Sequence, residues 1–174
     1  VRYRKRLLGG MKNMVKKKRG TTSITARKKK KTITQLKKQL WELVKQTIRK
    51  RDGPRCVICG ATGLDGSNWQ TGHFIPSSTC GAFLRYDLRN LHSNCYRCNI
   101  NLGGNGAMYY EALKRDYGQG FIDSVFGDKQ TIIKADTQFY EQKIQDFQEI
   151  SSWDKDKLLD YTRALGRREG DMYM

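Results

Sequence analysis

The sequence predicts a small α+β protein: a short-stranded, cysteine-bearing central module, amphipathic helices on either side of it, and a basic arm in front. Three observations lead there. Two CxxC pairs, Cys56/Cys59 and Cys95/Cys98, bracket 35 residues in a segment rich in Gly, Asn and Ser. Apolar residues recur at three- and four-residue steps before and after that segment, the spacing of a helix with one buried face. Positive charge is concentrated at the start: residues 1–55 carry 21 Lys and Arg against Glu42 and Asp52 alone, whereas the remainder of the 174-residue chain is close to neutral.

The arm comes first, over residues 1–31. It is poor in apolar residues and rich in Lys, Arg, Gly and Thr, the composition of a segment that stays flexible until it binds. Lys16, Lys17, Lys18, Arg19, Arg27, Lys28, Lys29, Lys30 and Lys31 are its candidate phosphate contacts. Such a block neutralises backbone phosphates and releases counterions, giving salt-dependent affinity without base readout. DNA is the expected partner. A membrane is not, because KKKRGTTSITARKKKK has no apolar face and no apolar run nears the roughly 18 residues a spanning helix needs. Five cysteines in two CxxC pairs and one leftover, Cys80, suit metal binding in a reducing compartment better than disulfides. The N-terminal VRYRKRLLGG lacks the apolar stretch of a signal peptide, so the expected location is the cytoplasm.

A helix follows over 32–53. Leu36, Leu40, Leu43, Val44 and Ile48 form its stripe, Thr32 or Thr34 caps its start, and Gly53-Pro54 stops it. Lys37, Lys38 and Lys45 give it a basic face that would extend the DNA footprint.

The module spans 54–127. Zinc prefers four thiolates in a tetrahedron, and one CxxC turn presents two sulfurs at the right separation. Cys56, Cys59, Cys95 and Cys98 therefore predict one structural zinc per chain. Their spacing exceeds the ribbon value of about 15–20 residues, which a β-hairpin inserted between the knuckles would explain. TGHF around His73 and the segment from Leu84 to Leu91 read as short strands, with Asn99 opening a helix. Tyr109, Tyr110, Leu113 and Tyr117 predict another helix, ended by Gly118, and Phe121, Val125 and Phe126 a shorter one, ended by Gly127. Residues 128–174 form a C-terminal helical segment and tail: Tyr140, Ile144, Phe147 and Ile150 make a stripe that continues through Trp153 to Leu165, before a frayed GRREGDMYM.

A closed four-cysteine site keeps no water and hydrolyses nothing. Chemistry would have to lie in the insertion, where GHFIP and LRYDLRNLHSNC put His73, Asn90 and, directly after the second knuckle, Asn99 in order. This resembles the HNH, or ββα-metal, nuclease motif in its HNN form, as in phage junction resolvases of the endonuclease VII type. IRKRDGPRCVICG, GHFIP, LRYDLRNLHSNCYRCN and GGN, over about residues 48–150, are similar to the NinG/Rap family of phage recombination proteins. The resemblance implies a zinc-stabilised ββα-metal module flanked by helices, and a metal-dependent endonuclease acting on branched DNA such as Holliday junctions and D-loops in the bacterial host cytoplasm. It implies His73 as general base, Asn90 as the brace of the loop, both in the catalytic set, and Asn99 as a ligand of a catalytic Mg²⁺ or Mn²⁺. No small-molecule cofactor is implied. Many HNH members place Asp directly before the base; Gly72 stands there instead. His92 is then the first candidate for the second ligand, on the same strand face as Asn90, with Asp87 and Asn105 behind it.

Two rival readings follow from the same residues. One is an HNH enzyme of homing, packaging or defence type that nicks or cuts ordinary duplex; the other is a non-enzymatic zinc-ribbon nucleic-acid-binding protein. Resolving a junction symmetrically takes two cuts, so a homodimer is a further expectation, with the C-terminal apolar stripe as its surface.

Overall fold

The computed structural model describes residues 30–167, of which Lys31 onward belong to one compact unit. The arm's Lys16, Lys17, Lys18, Arg19, Arg27, Lys28 and Lys29, and the end of the tail, lie outside the described residues. Among those described, helix dominates and one two-stranded sheet is present. No described helix is long and apolar enough to cross a membrane.

Helix α1 spans Ile33–Asp52. Thr32 begins it with a capping box: its hydroxyl accepts from the Gln35 amide, and the Gln35 side chain accepts from the Thr32 amide. Gly53, at φ 69°, ends it in a conformation that costs a residue without Cβ nothing. Leu36, Leu40, Val44 and Ile48 are buried along one side. They face α5, Thr137–Ser151, which buries Tyr140, Ile144, Phe147 and Ile150 in the same cluster. Each such side chain contributes about 1.5–3 kcal/mol by leaving water. The C-terminal stripe is thus covered by α1 of the same chain, and the apolar surface expected to support a homodimer is already used.

Strand β1, Trp69–His73, pairs antiparallel with β2, Leu91–Cys95, in the register Trp69 with Cys95 through His73 with Leu91. The second strand begins where the sequence reading ended it. Leu84, Tyr86 and Leu88 do alternate, but Leu84 lies in a short helix α2, Gly81–Arg85, Tyr86 caps its end, and Leu88 opens a 3₁₀ turn, Leu88–Asn90, in the connection between the strands. Every residue of β2 is buried, because the hairpin lies between two cores. Leu91 joins the α1/α5 core; on the other face lies the core formed with α3, Gly106–Tyr117, and α4, Gln119–Gly127. A last helix, α6, spans Lys155–Gly166 and starts on the Asp154 cap.

A buried ion pair locks these parts together. Arg51 is fully buried; it donates to the carbonyls of Leu88 (2.8 Å) and Leu91 (2.6 Å) and to Thr162 of α6, and pairs with Asp52 at 2.6 Å. Asp52 in turn accepts from the Ser93 amide at 2.7 Å. Burial opposes both charges, but each partner's charge holds the Arg51 pKa up and the Asp52 pKa down.

Candidate metal centre

The two CxxC turns meet at one end of the hairpin. The first follows α1 and is closed by a bridge between Arg55 and Thr62, with the Gly60 amide donating to the Cys56 carbonyl. The second leaves β2 and enters a π-helical turn, Arg97–Asn101. The sulfurs of Cys56, Cys59, Cys95 and Cys98 all lie within 4.8 Å of one another. Cys59 and Cys95 are 3.8 Å apart, the edge of a tetrahedron with zinc–sulfur bonds of about 2.3 Å. Burial raises the Cys56 and Cys98 thiols, the latter strongly and further through its bonds with Cys95 and Cys59; Cys59, the exposed member, is lowered, its bond with Ala61 and the neighbouring thiols outweighing burial. A divalent soft cation is what this donor set fits, and the four sulfurs could hold a zinc ion with no position left open. Cys80 is not among them: it is buried at the start of α2, where its thiol reaches the Gly81 carbonyl.

His73 ends β1 and stacks against Trp41 of α1, with ring centroids 5.5 Å apart and planes 3° apart. Its Nε2 lies 3.1 Å from the Arg85 carbonyl, so Nε2 carries the proton and Nδ1 is the basic nitrogen. Burial lowers its pKa, the Arg85 carbonyl opposing and the Arg85 charge assisting, so the ring is neutral at pH 7. Asn90 is fully buried and holds the connection beside that ring. Its Oδ1 accepts from the Ile75 amide (2.7 Å), and its Nδ2 donates to the carbonyls of Ile75 (3.1 Å) and Leu84 (3.2 Å).

Asn99 lies inside the π-helical turn rather than opening a helix; regular helix resumes at Gly106, after Gly103 and Gly104 at positive φ. Its Oδ1 points at Gly72. A Cβ on Gly72 would sit 2.6 Å from Asn99 Oδ1 and would collide with Nδ2 of Asn94. The missing side chain is therefore what lets two amides meet over the strand. Asn94 carries no signal of its own in the sequence beyond being polar in a strand buried throughout.

His92 is drawn into other contacts. Asn90 sits in the turn before β2 rather than two places along one strand, and the fully buried His92 ring packs against Tyr109 and Tyr117. Its Nδ1 is 3.1 Å from the Tyr109 hydroxyl, whose own proton is directed at the Gly72 carbonyl. Burial drives its pKa down to about 3, with the Arg51 charge assisting. Of the two lesser ligand candidates, Asp87 caps its turn and pairs with Arg89 at 2.8 Å, whereas Asn105, at φ 47°, precedes α3 without a side-chain capping bond. On α1, Lys37 lies over the Tyr140 ring, Lys45 pairs with Glu42 at 2.8 Å, and Lys38 is exposed; before the helix, Lys31 bonds Gln39 and Lys30 is exposed.

The family model described as Bacteriophage Lambda NinG protein matches residues 5–158. This chain belongs to the NinG family. It is 30% identical to protein ninG of Salmonella phage P22 over 125 residues, 66% of this chain and 59% of that protein. With protein ninG of Escherichia phage lambda the figures are 31% over 122 residues, 66% and 58%. With that of Escherichia phage 933W they are 34% over 89 residues, 51% and 43%. The chain thus spans less than two thirds of the length of these NinG relatives. No solved structure matches it.

Proposed function

We propose that this NinG-family chain is a metal-dependent endonuclease of the HNH type, with a ββα-metal site, that hydrolyses phosphodiester bonds in branched DNA. One observation supports the reading: His73 ends β1, Asn90 sits in the turn before β2 and Asn99 in the π-helical turn after it, all around one hairpin. His73 offers a neutral basic nitrogen at the end of β1. Asn90 ties the loop that supplies the carbonyl orienting that ring. Asn99, fixed by the knuckle beside it, directs an amide oxygen over Gly72.

The division of labour follows from residue chemistry. The cysteines would hold a zinc that fixes the fold and takes no part in hydrolysis. His73 Nδ1 would take the proton from an attacking water, with Trp41 and the Arg85 carbonyl keeping the imidazole in one plane and one tautomer. A Mg²⁺ or Mn²⁺ ion held by Asn99 would supply stabilisation of the negative charge at the scissile phosphate and leaving oxygen. The arm and the helix after it, at net +19 over residues 1–55, suit sequence-independent attachment to phosphates.

The test is a substrate panel for the zinc-loaded chain in Mg²⁺ or Mn²⁺: linear duplex, nicked duplex, flap, D-loop and four-way junction, each with wild type and His73→Ala. Preferential cutting of branched forms, lost in His73→Ala, is the expected result. Equal cutting of linear duplex points to the homing, packaging or defence type. Salt-sensitive binding with no cutting, unchanged in His73→Ala, points to a binding protein and sinks the nuclease reading.

A further inference from the structure

The donor that Gly72 cannot supply has a replacement across the hairpin. Cross-strand partners share a face, so Gly72, paired with His92, lies one diagonal step from Asn94, which is paired with Gln70. Both amide atoms of Asn94 are buried, and neither has a hydrogen-bond partner. A buried amide left unpaired costs about 1–3 kcal/mol, so a residue that persists in this state is expected to have a partner at some stage of the protein's work. The Tyr109 hydroxyl does feel the Asn94 amide, which opposes the upward push of burial on its pKa, but it makes no well-formed bond to it, being engaged with the Gly72 carbonyl and His92; Ser93 next door is engaged with Trp69. What Asn94 does face is the space over Gly72, where Asn99 Oδ1 also points.

We propose that Asn94 and Asn99 together hold the divalent cation over Gly72, Asn94 taking the place of the carboxylate that an Asp at position 72 would provide. This rests on the nuclease reading above and names the second protein ligand of the same site. Rotation of the Asn94 amide by a half-turn exchanges Nδ2 for Oδ1 without moving the rest of the side chain, presenting an oxygen beside that of Asn99. Amide oxygens are hard donors of the kind Mg²⁺ and Mn²⁺ accept. Gly72 is a requirement of the arrangement, since any side chain there would strike the Asn94 amide. The absent Asp and the orphaned Asn are two aspects of one design. His92 Nε2 is also buried without a partner, but its ring is held through Nδ1 against Tyr109 between two aromatic neighbours and is not among the atoms nearest the space over Gly72.

The experiment titrates Mn²⁺ into the full zinc-loaded chain and reads free Mn²⁺ by electron paramagnetic resonance, with zinc content measured in parallel. Wild type should bind one Mn²⁺ beyond the zinc. Asn94→Leu should weaken that binding by about tenfold or more, a scale that even outer-shell partners reach. It should leave zinc in place and leave thermal stability equal or higher, because an unpaired amide is removed. Asn94→Asp should tighten Mn²⁺ binding. If Asn94→Leu and Asn94→Asp both bind Mn²⁺ as wild type does while Asn99→Ala loses it, the assignment of Asn94 is wrong and the nuclease reading stands. If wild type binds no Mn²⁺ beyond the zinc and cuts no DNA, both are wrong.

Discussion

Replacing Asn90 by alanine removes three hydrogen bonds from a site with no exposure to solvent. The consequences for the three main-chain groups differ. The Leu84 carbonyl retains the Asp87 amide at 3.2 Å, whereas the Ile75 amide and carbonyl lose the partner that served both. Two orphaned buried groups at about 1–3 kcal/mol each predict a loss of about 2–6 kcal/mol. Against a total stability on the order of 5–15 kcal/mol, the variant folds at reduced margin. The same loss frees the connection carrying Arg85, whose carbonyl orients His73, so turnover should fall further than DNA affinity. Urea unfolding followed by circular dichroism in excess zinc measures the first effect, with exposed Asn101→Ala as control. Single-turnover cleavage and DNA titration on the folded fraction measure the second. A stability loss within about 0.5 kcal/mol, the range of an ordinary surface change, refutes the brace.

Other perturbations separate the parts. Cys98→Ser should lose zinc and unfold the module, whereas Cys80→Ser and Asn99→Ala should retain it; chelator-competition zinc assays decide, and equal zinc loss in Cys98→Ser and Asn99→Ala contradicts separate metal roles. Gly166→Ala drives a Cβ into the Phe121 ring where α6 meets α4, and overpacking of that kind costs about 1–3 kcal/mol, readable as a lowered Tm. Burial lowers the His73 pKa below its usual value of 6.5, so the neutral base persists into mildly acidic solution. Cleavage should therefore be flat from pH 7 upward and fall on an acid limb centred below 6.5; a limb centred above 7, with zinc retained, rules His73 out as the base.

The helices were legible in the sequence because their buried faces repeat at helical spacing and their ends carry local signals, Thr32 and Gly53 on α1 and Gly118 after α3. The second strand was not. A strand buried on both faces has no reason to alternate, and β2 reads Leu-His-Ser-Asn-Cys, with His92 answering to Tyr109, Ser93 to Trp69, and Asn94 facing Gly72. Leu84, Tyr86 and Leu88 imitated alternation while serving a helix and a 3₁₀ turn. His73, Asn90 and Asn99 stood out because each sits at a fixed offset from a turn or a knuckle. Asn94 and Trp41 could not: their relevance depends on what lies across the hairpin or along α1 from them, and for Asn94 on a side chain that is absent.

That absence bears on how ion and DNA would bind. Asn94 and Asn99 are both neutral, so two amides would face a doubly charged ion without a protein carboxylate between them. Charge compensation would then fall to the scissile phosphate, and the ion and the DNA should each strengthen binding of the other by the same factor. Mn²⁺ affinity of the His73→Ala protein, which should bind DNA without cutting it, measures this directly: it should rise when four-way junction DNA is added, and junction affinity should rise equally when Mn²⁺ is added. Asn94→Asp brings its own negative charge and should show a smaller mutual effect together with tighter binding of Mn²⁺ alone. An Asn94→Asp protein whose coupling equals that of the parent would mean that the phosphate is not what completes the site.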